Sequence, residues 1–191
     1  MRHVTRHGVY YRVCDALPAW PNSLDTTFSK RIGGRWNPPE AFGVLYLNAT
    51  IAVAAANARK NYESEIATLY DLRPERRPHL QLVEVSPFRF IDVVTRQGVR
   101  ALRLPAAFPY GVPWPPCQRI GLRAYAIRSE RGIACRSNAD VTPTSNVGEE
   151  LAIFDRALQS VLRGIRVPFA EWYPPAALKP TWTIAPLATP V

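Results

Sequence analysis

The side chains best suited to acid–base and nucleophilic work are thinly spread along this chain. His3, His7 and His79 are its only histidines, and none stands beside a nucleophile motif or a second ligand. That spacing argues against a Ser-His-Asp triad and against a histidine-based metal site. No GxxxxGK[ST] loop and no GxGxxG following a strand is present, so neither a P-loop nor a Rossmann phosphate cradle is expected. Chemistry is left to arginine, tyrosine, serine, asparagine and backbone groups. One reaction compatible with that set is cleavage of a nicotinamide–ribose bond. The leaving group is already cationic, and the ribose takes on oxocarbenium character. The protein has mainly to grip the diphosphate, orient the sugar and stabilise positive charge with an acid or a carbonyl. Arginine, which can hold a phosphate through two bonds, suits the first of these tasks. Compatibility of this kind does not single out a dinucleotide.

The most distinctive run is Gly33-Gly34-Arg35-Trp36-Asn37-Pro38-Pro39, a turn with little freedom at its proline end. Residues 9–14 before it read as a strand, and residues 16–30, with Pro18, Pro21, Asn22, Ser23 and Asp25, as an irregular excursion. Residues 44–47 predict a short buried strand. Residues 50–62 give the clearest helix, with Asn48 or Thr50 able to cap it. Its Ala52, Ala54, Ala55 and Ala56 let another backbone approach closely. A charged loop is expected over 73–78, then strands over 80–85 and 88–93 around Ser86-Pro87. Five prolines and one glycine in residues 104–117 suggest a long ordered loop. A helix over 120–128 and strands over 132–135 and 151–154 follow. Beyond Trp172, Pro174, Pro175, Pro180, Pro186 and Pro190 predict an extended tail. The expected fold class is α+β, in a single compact domain.

Composition narrows the partners. With 191 residues, 47% hydrophobic and 20% charged, the chain has the material for one globular core. No apolar run approaches the roughly 20 residues needed to span a bilayer. The basic N-terminus is not followed by a signal-peptide core, so no membrane association and a cytoplasmic location are expected. Cys14, Cys117 and Cys135 form no CxxC pair, and buried, reduced thiols are the expectation, with no metal. Lys plus Arg is 24 against 15 acids, a net charge of +9, and 21 of those cations are arginines. A basic surface suits a nucleic acid, a dinucleotide or an acidic protein, and because the arginines are spread rather than clustered, direct nucleic-acid binding is not expected.

The Lys30–Pro39 run followed by Val44-Leu45-Tyr46-Leu47 closely resembles the signature of the RES domain, a family named for Arg, Glu and Ser. Tyr11-Arg12 resembles the family's early aromatic–arginine pair, and Cys117-Gln118-Arg119-Ile120-Gly121 its CQxxG-like stretch. Gly132 to Ser137 resembles its glycine-to-serine strand, and Glu150-Leu151-Ala152-Ile153-Phe154 its closing strand. The resemblance implies a RES domain over 1–155, with its core at about 9–155. Residues 156–191 would form a C-terminal helix and a proline-rich tail packed on the same domain. It implies a core similar to ADP-ribosyltransferases, with NAD as substrate and no permanently bound cofactor. It further implies toxin activity restrained by an Xre-like helix-turn-helix antitoxin, in a homo-oligomer or a toxin–antitoxin hetero-oligomer. NAD would be cleaved by hydrolysis or phosphorolysis. Transfer of ADP-ribose to a protein and silent binding are the alternatives.

Carried over by motif, Arg12 and Arg35 become pyrophosphate clamps, and Tyr46 a ribose or nicotinamide contact. Ser137 and Gln118 become polar contacts, with Arg35, Tyr46, Asn57 and Ser137 at the catalytic positions. The family's helix glutamate falls on Asn57, which can neither hold negative charge nor take a proton. Glu63, six residues further on, faces another way at about 100° per residue. Each position also has a structural reading. Arg35 and Trp36 could stack on each other, Tyr46 could be core, and Ser137 could satisfy a strand end. Asn57 could serve a side-chain bond, and Trp20, Trp114, Trp172 and Trp182 could anchor packing or loops.

Overall fold

A computed structural model describes residues 1–14, 21–61, 77–139 and 148–169. In chain order the elements are β1 (His3–Cys14), α1 (Thr27–Ile32), β2 (Val44–Asn48), α2 (Ile51–Asn61), β3 (His79–Val93) and α3 (Arg96–Ala101). They continue with α4 (Trp114–Ala126), β4 (Gly132–Arg136), β5 (Glu149–Phe154), a 3-10 turn (Asp155–Ser160) and β6 (Val161–Pro168). The strands run β1-β2-β5-β4-β3, and β3 returns to pair with β1, so the sheet closes on itself with β6 added along β3. All pairings are antiparallel except β3 with β4. This mixed architecture agrees with the α+β class expected from the sequence.

Strand alternation divides the apolar residues between two faces. Leu45, Leu47, Val83, Val85, Phe90, Ala134, Leu151 and Ile153 pack together with Tyr10 on one. On the other, Val44, Ile91, Val93, Ile133, Cys135, Ala152 and Phe154 pack against Trp36, Phe42, Phe108 and Ile120. A third cluster joins Ala54, Ala55 and Ala58 of α2 to Leu80 and Phe169. The small α2 side chains do bring that helix close to the sheet. Its first turn is capped by Thr50, whose hydroxyl accepts the Val53 amide at 3.2 Å.

Several elements depart from the sequence expectation. Strand β3 runs unbroken through Ser86-Pro87. Proline is tolerated there because the β1 ladder shifts register between Arg6 and Gly8. In addition, β6 pairs no further than Val85, and β4 pairs only from Ile91. The missing proline N–H therefore costs no ladder bond. The stretch expected to be a loop over 104–117 already contains the start of α4, with Pro115 and Pro116 in its first turn. First-turn amides have no helical partner, so proline is at home there. Helix α1 lies at the end of the predicted irregular stretch, α3 is capped by Thr95, and β6 was not anticipated. Cys14, Cys117 and Cys135 are buried, and among the described residues none is in a disulfide. Most of the 73–78 loop, Trp20, Glu63, Trp172, Trp182 and the proline-rich tail lie outside the described residues.

Candidate active site

Strands β1 and β2 pair in register at Tyr11 and Asn48, a short seam compared with the long β1–β3 ladder. Asn48 reinforces it by donating from Nδ2 to the Tyr11 carbonyl at 3.0 Å. Beyond this seam lies a cleft of about 670 Å³. It is lined by the end of β1 (Arg12 to Cys14), by β2 (Tyr46, Asn48) and by α2 (Ala54, Asn57, Ala58). Phe28, Gly33 to Arg35, Trp114, Asn138 and Glu150 complete its wall.

The Gly33–Pro39 turn forms one side, and it is held from within. The Asn37 amide donates to the carbonyls of Ser29 at 2.7 Å and Phe42 at 3.0 Å, and its Oδ1 accepts the Tyr46 hydroxyl at 2.9 Å. Tyr46 Oη in turn accepts the Trp36 amide at 3.1 Å. Gln118 donates from Nε2 to the Gly34 carbonyl at 2.9 Å. Two glycines make these approaches possible. A Cβ on Gly34 would lie 2.6 Å from the Tyr46 hydroxyl, and one on Gly121 would lie 1.7 Å from the Trp36 carbonyl oxygen. Trp36 itself is fully buried, its indole donating to Cys135 Sγ at 3.2 Å and its ring 6.0 Å from that of Phe108. It is a core residue. Its neighbour Arg35 faces the cleft, braced by a 3.2 Å bond from Nη1 to the Val112 carbonyl.

Arg12, Arg35, Tyr46 and Asn57 share one cleft, while Gln118 and Ser137 stand behind its wall. Gln118 braces the turn that carries Arg35. Ser137 is fully buried and donates its hydroxyl to Glu150 Oε1. Asn57 donates from Nδ2 to Asn48 Oδ1 at 2.7 Å and to Glu150 Oε1 at 2.8 Å. A carboxylate only accepts, so the nitrogen of Asn57 must face it. The orientation of this amide is therefore set by its partner.

Burial shapes the electrostatics. It lowers the Arg12 guanidinium to about 10, which leaves it charged at neutral pH, and Arg12 donates to the Ser23 carbonyl at 2.7 Å. Burial also raises the Tyr46 phenol far above its ordinary range, so it remains a neutral donor and acceptor. Cys135 is raised by burial and by the nearby charge of Glu150. Cys117 is raised by burial, although Arg35 pulls the other way. Neither buried thiol is poised as a nucleophile.

The sequence reading gave no site role to Glu150 or Phe28 and read Trp114 as a packing or loop anchor. Phe28 and Trp114 are 55% and 49% exposed at the cleft, where large aromatics gain little from burial. Glu150 had one signal, the Glu149-Glu150 pair opening a strand. Alternation sends the two acids to opposite faces. Glu149 pairs with Arg6, 3.0 Å from Nη2 to Oε2, while Glu150 turns into the cleft. Among the described residues, no cluster of three or more metal-ligating side chains forms.

The RES-domain profile matches residues 9–174. Relatives include the NAD(+) phosphorylase MbcT of Mycobacterium bovis and that of Mycobacterium tuberculosis, each 29% identical over 109 residues. Each alignment covers 57% of this chain and 58% of the relative, so the chain spans under two thirds of those proteins' length. The crystal structure of the M. tuberculosis MbcT-MbcA toxin-antitoxin complex superposes with a TM-score of 0.71. The identity there is 21%, over 88% of this chain and 90% of that one, which is a likeness of fold.

Proposed function

The chain belongs to the RES-domain family, and on that premise we propose that it is a toxin that consumes NAD by breaking the nicotinamide–ribose bond. The observation that carries this reading is a single cleft that gathers Arg12, Arg35, Tyr46, Asn57 and Glu150. Its volume, about 670 Å³, falls in the usual range for small-molecule and cofactor sites. Arg12 and Arg35 grip the diphosphate, each fixed by a carbonyl bond so that little order is lost on binding. The Tyr46 ring borders the sugar and base. Its hydroxyl, like the Gln118 amide, holds the turn that presents Arg35.

The C1–N bond breaks with its electron pair leaving on nicotinamide, which departs neutral and needs no proton. Inorganic phosphate closing on C1 yields ADP-ribose 1-phosphate, and water closing there yields ADP-ribose and a proton. Phosphorolysis is the first reading, because the relatives are named NAD(+) phosphorylases. NAD is then a substrate, with no resident cofactor. Transfer of ADP-ribose to a protein remains the runner-up. The core is read as ADP-ribosyltransferase-like, with the proline-rich tail packed against it.

Restraint by an antitoxin follows from the same reading, since the solved relative is a toxin-antitoxin complex. The exposed Phe28 and Trp114 offer a partner of the Xre-like class an apolar hold at the cleft mouth. Such a hetero-oligomer would work in the cytoplasm. No helix among the described residues is long and apolar enough to cross a membrane.

The test is nicotinamide release from NAD by the purified protein, with and without phosphate, beside Arg35→Ala. Release that depends on phosphate and collapses in the variant is expected. A folded protein that leaves NAD intact under both conditions sinks the reading.

A further inference from the structure

We propose that Glu150 of β5 supplies the carboxylate that faces the reacting ribose, taking over across a hydrogen bond the role left open by Asn57 of α2. The proposal rests on the reading of the cleft as a dinucleotide-cleaving site. An oxocarbenium-like sugar calls for negative charge beside C1 and the ring oxygen. Among the described residues that line the cleft, Glu150 is the one carboxylate.

Its placement comes from the sheet. Glu150 pairs in register with Asn48 on one side and Cys135 on the other, so its side chain leaves the same face as theirs, toward the cleft. Ser137 and Asn57 both donate to Oε1. Among the described residues the donors to Glu150 reach Oε1, and none reaches Oε2. One oxygen is therefore anchored and the other is left for a ligand, which is how a fixed carboxylate is aimed.

Asn57 completes the logic. A second carboxylate at position 57 would meet Glu150 within hydrogen-bonding distance, and two like charges there repel strongly. An amide donates instead, and it holds Glu150 and Asn48 together. The same bond could run the other way, with the acid on the helix and the amide on the strand. The pair keeps one negative charge in the cleft in either arrangement.

In the reaction, the C1–N bond breaks heterolytically and the pair departs with nicotinamide. The Glu150 carboxylate stabilises the cationic sugar, and phosphate or water closes on C1. Glu150 forms no covalent bond and consumes no oxidant or reductant.

Three proteins decide it: the wild type, Glu150→Gln, and the double variant Asn57→Asp/Glu150→Gln, which moves the acid across the bond. Nicotinamide release and NAD binding by calorimetry are measured for each. Glu150→Gln should lose ~100-fold or more in kcat while keeping NAD affinity within a few-fold. The double variant should recover ~10-fold or more of that loss. Three results overturn the proposal: Glu150→Gln within threefold of the wild-type rate, binding lost in step with rate, or a folded double variant that recovers nothing. A wild type that binds NAD without cleaving it overturns both this assignment and the proposed function, and is recognised by the inert parent.

Discussion

Arg12 sits half-buried at the cleft, with its charge kept despite the desolvation that lowers its pKa. A planar guanidinium can hold both the Ser23 carbonyl and a phosphate, whereas an ammonium is a point charge with a larger hydration penalty. Arg12→Lys is expected to raise KM for NAD about 10-fold or more, near 1.4 kcal/mol, with a smaller change in kcat. Steady-state kinetics of the folded variant check it, and an unchanged KM would remove Arg12 from the diphosphate grip. Tyr46 carries a pH prediction. Its folded pKa lies far above the unfolded one, and Tyr10 is likewise raised, to about 12, by burial and then by Glu149. Above about pH 10 the unfolded chain releases these protons while the folded protein keeps them, so stability falls as pH rises. Tyr46→Phe should flatten that alkaline limb. At neutral pH it should cost about 1–2 kcal/mol, because the Trp36 amide and Asn37 lose a partner. Denaturant titrations at neutral and alkaline pH report both effects.

Helix α4 and the arginine-bearing turn are positioned by contact between backbones. Gly121 lets α4 sit against the Trp36 carbonyl, and Gln118, one turn earlier on the same helix, reaches the Gly34 carbonyl. Gly121→Ala inserts a methyl where only 1.7 Å is available, so the helix must retreat. About 1–3 kcal/mol of stability should be lost, with a lower Tm, and Arg35 should be displaced with the turn. Gln118→Ala is the milder probe. It should weaken NAD cleavage while changing Tm less than Gly121→Ala does. Helix α2 is coupled to the site through its Thr50 cap and through Asn57. Thr50→Ala should cost about 1 kcal/mol by leaving the Val53 amide without its capping oxygen.

The molecule as a whole carries a net charge of +9. A basic protein concentrates an anionic dinucleotide near its surface, and salt screens that attraction over about 10 Å at 0.1 M and 3 Å at 1 M. KM for NAD should rise several-fold between ~0.05 and ~0.5 M salt, while kcat changes little. Nicotinamide riboside, which lacks the diphosphate, should show no such trend in binding. An equal salt response for both ligands would place the charge outside the recognition step.

Much of the site was legible in the residue order. The Gly33–Pro39 run stands out by its residue types, the family resemblance it carries points on to Arg12, Tyr46 and Asn57, and these residues line one cleft or hold its wall. Such features are short-range: glycines and prolines restrict the chain where they stand, and a helix or strand period needs only its neighbours. Less local facts were out of reach. Proline-rich residues read as loop became the first turn of α4, because unpaired first-turn amides tolerate proline. Pro87 did not break β3, because no partner strand asked for its N–H. Gln118 and Ser137 turned out to brace the site from behind. Above all, which member of Glu149-Glu150 enters the cleft depends on how β5 registers between β2 and β4. The sequence by itself determined which residue types are present and where the chain must bend. Only the tertiary structure decided that an acid far along the chain meets Asn57, because register between distant strands is set by the packing of whole faces.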